Sequence, residues 1–193
     1  MIKSNGSKKK NIAVFISGNG SNLENLIKFS QKKFNFKIVL VISDNPKAKG
    51  LNFAKKYKIK RKIIDYSNIK IAEKKIFENL RIGEIQLICL AGFMKILSKN
   101  FIKNFKGKII NIHPSLLPKY KGLNTHQRAI DNNEQYSGCT VHYVNSKLDS
   151  GKIILQKRVK IFKTDTVKKL AKRVLKQEHF LYPKALNKIL TSL

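Results

Sequence analysis

NIAVFISGNGSN, Asn11–Asn22, joins an apolar run to a glycine-rich break and the start of a polar-apolar pattern. Its Ile12–Ser17 run is apolar, as a buried strand is, and it breaks at Gly18, Asn19 and Gly20. NLENLIKFSQKK, Asn22–Lys33, follows with Leu23, Leu26 and Ile27 on one helical side. Strand, glycine loop and helix in that order open a βαβ unit.

Strand-like runs recur at Phe36–Ser43, Lys62–Asp65, Leu87–Ala91, Lys108–Ile112 and Thr140–Asn145, with a helical stretch at Ala48–Lys58. This alternation predicts an α/β fold in three layers, a mostly parallel sheet with helices on both faces. Later, SGCTVHYVNSKLDSGKIILQKRVKI carries two strand-like runs around a polar turn, an antiparallel addition to the sheet in the carboxyl-terminal half. TDTVKKLAKRVLKQEH predicts a last helix from Asp165 to about Gln177, with Val167, Leu170, Ala171 and Val174 at helical spacing. A chain of 193 residues that is 42% hydrophobic supports one sizeable core, so a single domain over residues 11–193 is expected behind a disordered basic leader, residues 1–10.

Composition narrows the class. The longest apolar runs, such as Ile85–Met94, fall well short of the roughly 20 residues that a bilayer-spanning helix needs, and the amino end lacks a signal-peptide core. Cys89 and Cys139 have no metal-like spacing, which suits a reducing cytoplasm without disulfides or a metal. The net charge of +30 suggests a nucleic-acid partner, yet only five of the 41 basic residues are arginine and the lysines are spread along the chain. Biased coding composition explains that spread, and no nucleic acid is required by this reading.

Three segments carry chemistry. Glycines at Gly18 and Gly20 let the backbone approach a ligand, and free amides at the start of a helix suit an anion. Leu23 stands where a dinucleotide fingerprint has its third glycine, so a single phosphate fits better; a tight turn is the plain alternative. IINIHPSLLPKYKG, Ile109–Gly122, puts Asn111 and His113 on one side of a strand tip, where ligands of open α/β sheets collect. KLDSGKIILQ sets Asp149 in a polar turn, by itself an ordinary turn residue. Together, an amide donor, an imidazole and a carboxylate with no evident nucleophile point to acyl transfer between bound substrates. A carboxylate beside the imidazole would favour a protonated His113.

NIAVFISGNGSNL, ICLAGFMKILS, INIHPSLLPKYKGLNTHQRAI, GCTVHYVNSKLDSGKIILQ and RVLKQEHFLYP resemble the glycinamide ribonucleotide formyltransferase family, in order, from about Asn11 to about Pro183. The resemblance implies formyl transfer from 10-formyltetrahydrofolate, a co-substrate, to the amine of 5-phosphoribosylglycinamide in purine biosynthesis, by a cytoplasmic monomer or homodimer. It assigns catalysis to Asn111, His113 and Asp149, and the phosphate to Gly20, Ser21 and Asn22. Glu178 matches a residue at the ribose. Folate would lie against Leu90, Met94, Lys95, Ile96, Leu97, Asn111, Val144, Asn145, Ser146, Lys147, Leu148 and Asp149. Thr140, His142 and Ser115 would support the site from behind, and His126 would cap or pack a helix. An arginine usual in the family falls on Ile69 here, with Lys70 beside it as a point-charge substitute, and Leu175 replaces a polar partner of Glu178. A formyltetrahydrofolate hydrolase, an initiator-tRNA formyltransferase and a non-catalytic nucleotide- or RNA-binding module on the same scaffold are the alternatives.

Overall fold

The computed structural model describes residues 9–32 and 35–191. Among the described residues, thirteen elements run in chain order. They are β1 (Lys10–Ile16), α1 (Ser21–Ser30), β2 (Phe36–Ser43), α2 (Leu51–Lys56), β3 (Lys60–Ile63), α3 (Ile69–Ile82), β4 (Leu87–Leu90), α4 (Lys99–Asn104), β5 (Lys108–His113), α5 (Thr125–Asp131), β6 (Tyr136–Tyr143), β7 (Ile153–Lys160) and α6 (Val167–Leu190). Of the expected leader, residues 1–8 lie outside the described residues, and Lys10 already pairs with Phe36 in the sheet.

One seven-stranded sheet has the order β3-β2-β1-β4-β5-β6-β7. The five strands from β3 to β5 are parallel, while β6 pairs antiparallel to β5 and β7 antiparallel to β6. Order reverses between β1 and β4, so the loops leaving those two strands part and open a crevice at their carboxyl ends.

The continuous apolar run of β1 is explained by burial on both faces. Ile12, Val14 and Ile16 join Leu23, Leu26 and Ile27 of α1 and the inner side of α6 in one core. Ala13 and Phe15 point the other way, to Ala72, Ile76 and Leu80 of α3 and Phe101 of α4. Alternate side chains of one strand thus bind two helical layers to one sheet.

The last helix is longer than its periodicity predicts. It begins at Val167, with the Thr166 side chain accepting from the Lys169 amide at 3.3 Å, and continues past Gln177 and through Pro183. Proline has no N–H for the carbonyl four residues back. Here that carbonyl, on His179, accepts instead from Asn25 Nδ2 of α1 at 2.5 Å. A tertiary contact replaces the missing helical bond and lets the helix run on.

Candidate active site

The glycine loop after β1 leaves a helix start without a side-chain cap. Gly20, φ 75°, is the N-cap of α1 and supplies no side-chain cap, so among the described residues the amides of Ser21 and Asn22 are left to a ligand. Gly20 is also needed for space. A Cβ there would lie 2.4 Å from the Gly50 Cα, across the contact in which the Gly50 amide donates to the Gly18 carbonyl at 3.0 Å.

At the tip of β5, the antiparallel register sets His142 opposite Asn111 and Thr140 opposite His113. Asn111 Nδ2 lies 3.3 Å from His142 Nε2, and His142 Nδ1 donates to the Tyr143 carbonyl at 2.8 Å. The Nε2 edge of the ring thus faces the Asn111 amide. That contact orients the amide. His113 Nε2 donates to the Tyr120 carbonyl at 2.9 Å, while its Nδ1 faces Asp149 Oδ2 at 3.3 Å. The same carboxylate accepts from the Gly122 amide at 2.9 Å, and its other oxygen lies 3.6 Å from His142 Nε2.

The β6–β7 turn holds Asp149 in the left-handed region at φ 43°. Two residues on, a Cβ at Gly151 would fall 1.7 Å from the Tyr143 carbonyl oxygen, so only glycine lets the turn fold back this tightly. The chain reverses there and delivers the carboxylate to the two imidazoles.

Burial sets the electrostatics. His113 is 5% exposed, and burial, aided by His142 and Arg128, lowers its pKa against the opposing Tyr120 carbonyl and Asp149 charge. The imidazole therefore sits below its ordinary value, which corrects the expectation of a protonated His113 at neutral pH: removal from water outweighs one nearby carboxylate. For Asp149, burial pushes upward, but the His142 contact, the Gly122 amide and the two imidazoles together hold the carboxyl below the usual range. Glu178 is raised by burial, against the opposing hydrogen bond from Asn22 Nδ2 at 2.7 Å. Both cysteines are free and buried, and burial pushes the Cys139 thiol up to about 12 and that of Cys89 still further.

These groups share one cavity of about 1230 Å³. Its walls take in Gly20, Ser21, Asn22 and Glu178 on one side, and Asn111, His113, His142 and Asp149 beside them. Leu90, Met94–Leu97, Val144 and Asn145–Leu148 line the remainder. Residues 91–98 are an irregular loop, held by the Met94 amide donating to Ser17 Oγ at 2.8 Å and by Ser17 Oγ donating to Asp44 Oδ1 at 2.5 Å.

Three expected residues do not reach the cavity wall. Lys70 sits exposed in the first turn of α3. Thr140 Oγ1 donates to the Ser115 carbonyl at 2.7 Å and accepts from the Leu117 amide and Gln156 Nε2, and Ser115 Oγ donates to the Lys119 carbonyl at 2.7 Å. That pair fixes the loop after His113 without facing the cavity. Conversely, the Tyr120 carbonyl and the Gly122 amide escape sequence reading because they act through backbone, which side-chain identity does not report. Leu123, Asn124 and His126 also line the wall. His126 belongs to α5, and its Nδ1 is buried with no hydrogen-bond partner among the described residues.

Comparison with known proteins agrees with this architecture. The family described as Formyl transferase matches residues 10–186. The chain belongs to that formyl transferase family. Among family members, the protein named phosphoribosylglycinamide formyltransferase in Haemophilus influenzae is 44% identical over 178 residues, 90% of this chain and 84% of that one. A trifunctional purine biosynthetic protein adenosine-3 of Drosophila melanogaster is 41% identical over 185 residues, 93% of this chain and 14% of that one. The chain thus spans less than a fifth of the trifunctional relatives it matches. A crystal structure of phosphoribosylglycinamide formyltransferase from Anaplasma phagocytophilum superposes with a TM-score of 0.90 at 42% identity, covering 96% of this chain and 88% of that one.

Proposed function

We propose that this chain transfers the formyl group of 10-formyltetrahydrofolate to the amine of 5-phosphoribosylglycinamide, yielding the N-formyl nucleotide and tetrahydrofolate in purine biosynthesis. The observation that carries the reading is the meeting of Asn111, His113 and Asp149 with the open amides of α1 in a single cavity. The relatives named phosphoribosylglycinamide formyltransferase support the same acceptor.

In this reading the nucleotide phosphate takes the amides of Gly20, Ser21 and Asn22, and Glu178 meets the ribose. Folate takes the wall formed by Leu90, the 94–97 loop and the 144–149 turn. Attack of the amine on the formyl carbon puts negative charge on the formyl oxygen, which the Asn111 amide stabilises. Such a preorganised donor contributes about 3 kcal/mol to lowering the barrier. A neutral His113 serves equally as a donor through its Nε2–H, by exchanging the Tyr120 carbonyl for that oxygen.

Proton balance closes within the site. The acceptor amine loses one proton and the departing folate nitrogen gains one. Asp149, kept ionised, takes the first and hands it to His113 Nδ1 as the Nε2–H of His113 goes to the folate nitrogen, so both side chains return to their starting charges. Tetrahydrofolate release measured spectroscopically with and without the ribonucleotide tests the assignment. Release that depends on the acceptor is the expected result; release without it would identify a hydrolase.

A further inference from the structure

The lysines that look scattered in sequence are sorted by α6. From Lys168 onward, every exposed position on this helix is lysine except Phe180. Lys168, Lys172, Lys176, Phe180, Lys184 and Lys188 follow one another at intervals of four. Each interval rises about 6 Å and turns about 40°, so the row forms a ridge that climbs about 30 Å while winding about 200° round the solvent-facing side of the helix. Its only carboxylate, Glu178, is buried and faces the cavity on the opposite side of the helix, about 160° to 200° from Lys176 and Phe180.

The chemistry of the ridge selects its partner. Regularly spaced ammonium groups on flexible stems neutralise a regularly spaced row of anions without demanding a fixed geometry. Phe180 is 49% exposed, with the Lys184 ammonium 3.8 Å from its ring centroid, which offers an aromatic face flanked by charge. Aromatic platforms beside a cationic track bind single-stranded nucleic acid by stacking and phosphate neutralisation. An anionic membrane fits less well, because the apolar residues of α6 are turned into the core and leave Phe180 alone among lysines.

We propose that the outer face of α6 is a sequence-independent docking ridge for single-stranded RNA, separate from the catalytic cavity. The test uses the full chain and a fluorescein-labelled 20-nucleotide oligouridylate, with anisotropy followed over a series of potassium chloride concentrations. Each phosphate contact adds about 0.7 to the slope of log affinity against log salt, so replacing Lys168, Lys172, Lys176 and Lys184 by glutamine lowers that slope by about 3. Phe180→Ala weakens binding about five-fold or more with little change in slope. The control replaces Lys55, Lys56, Lys60 and Lys62, on α2 and β3 at the far edge of the sheet, and leaves the slope unchanged. Equal losses in the two four-lysine variants, or no binding by the unaltered chain, would overturn the proposal. Ridge-dependent binding to phosphatidylserine vesicles or polyglutamate, with none to the oligonucleotide, would overturn it too.

Discussion

Asp149 Oδ2 lies 3.3 Å from His113 Nδ1 and accepts the Gly122 amide at 2.9 Å. One carboxylate oxygen therefore ties the β6–β7 turn both to the strand that carries the imidazole and to the loop beyond it. Asp149→Asn keeps the size of the side chain and removes its charge. Formyl transfer is expected to fall by 10² or more, within the range of about 10² to 10⁴ attributed to positioned proton acceptors, while folate affinity changes little. Steady-state kinetics alongside equilibrium binding of a folate analogue checks this; near-normal turnover would remove Asp149 from the mechanism.

The protonation of His113 provides a second check. Burial holds its pKa below the ordinary imidazole value and the Asp149 charge partly opposes this, so Asp149→Asn should lower it further. Because the folded-state value is depressed, the stability contributed by neutral His113 is full above the unfolded value and is lost as pH falls through the folded one. Following the ring resonances by NMR in the substrate-free protein reads the shift directly. A titration midpoint above the ordinary value of about 6.5 would contradict it.

Glu178 has the opposite sign. Its raised pKa favours the neutral carboxyl in the folded chain, so its contribution to stability is full below the unfolded value and is lost as pH rises through the raised one. Glu178→Gln keeps a partner for Asn22 and abolishes the titration. Urea midpoints at pH 5 and pH 8 should show the variant gaining on the unaltered protein at the higher pH. An unchanged difference between the two pH values would argue against a buried, titrating Glu178.

Gly20→Ala combines a left-handed backbone with a 2.4 Å approach to the Gly50 Cα. A cost of about 1 to 3 kcal/mol is expected from the strained conformation alone. The displaced α1 start should also raise KM for the ribonucleotide more than KM for folate. Thermal unfolding and the two KM values decide whether the amides of that turn hold the phosphate.

Asn25 and Pro183 are coupled through the His179 carbonyl. Asn25→Ala leaves that carbonyl without its side-chain donor and should cost about 1 to 3 kcal/mol. In a Pro183→Ala background the restored helical N–H can take its place, so the same change should cost less. A double-mutant cycle in urea measures the difference, and additivity would refute the compensation.

The parallel sheet, its antiparallel addition, both layers of helix and the three segments around Asn111, His113 and Asp149 were all legible in the sequence. The reason is local: buried strands read as apolar runs, helices as 3.6-residue periods, and a glycine loop or an Asn-x-His strand tip keeps its reactive groups within a few residues. The sequence also located Glu178, through its likeness to known formyltransferases.

Tertiary structure decided what depends on distant neighbours or on backbone groups. It carried α6 through Pro183, because Asn25 on another helix answers the His179 carbonyl. It left Lys70 outside the cavity, and set the Tyr120 carbonyl against His113 and the Gly122 amide against Asp149, backbone groups with no side-chain signature. It also lowered the pKa of His113, since proximity to Asp149 favours the imidazolium whereas burial opposes it more strongly. Desolvation is a property of the whole packed environment, and no linear spacing of residues encodes its magnitude.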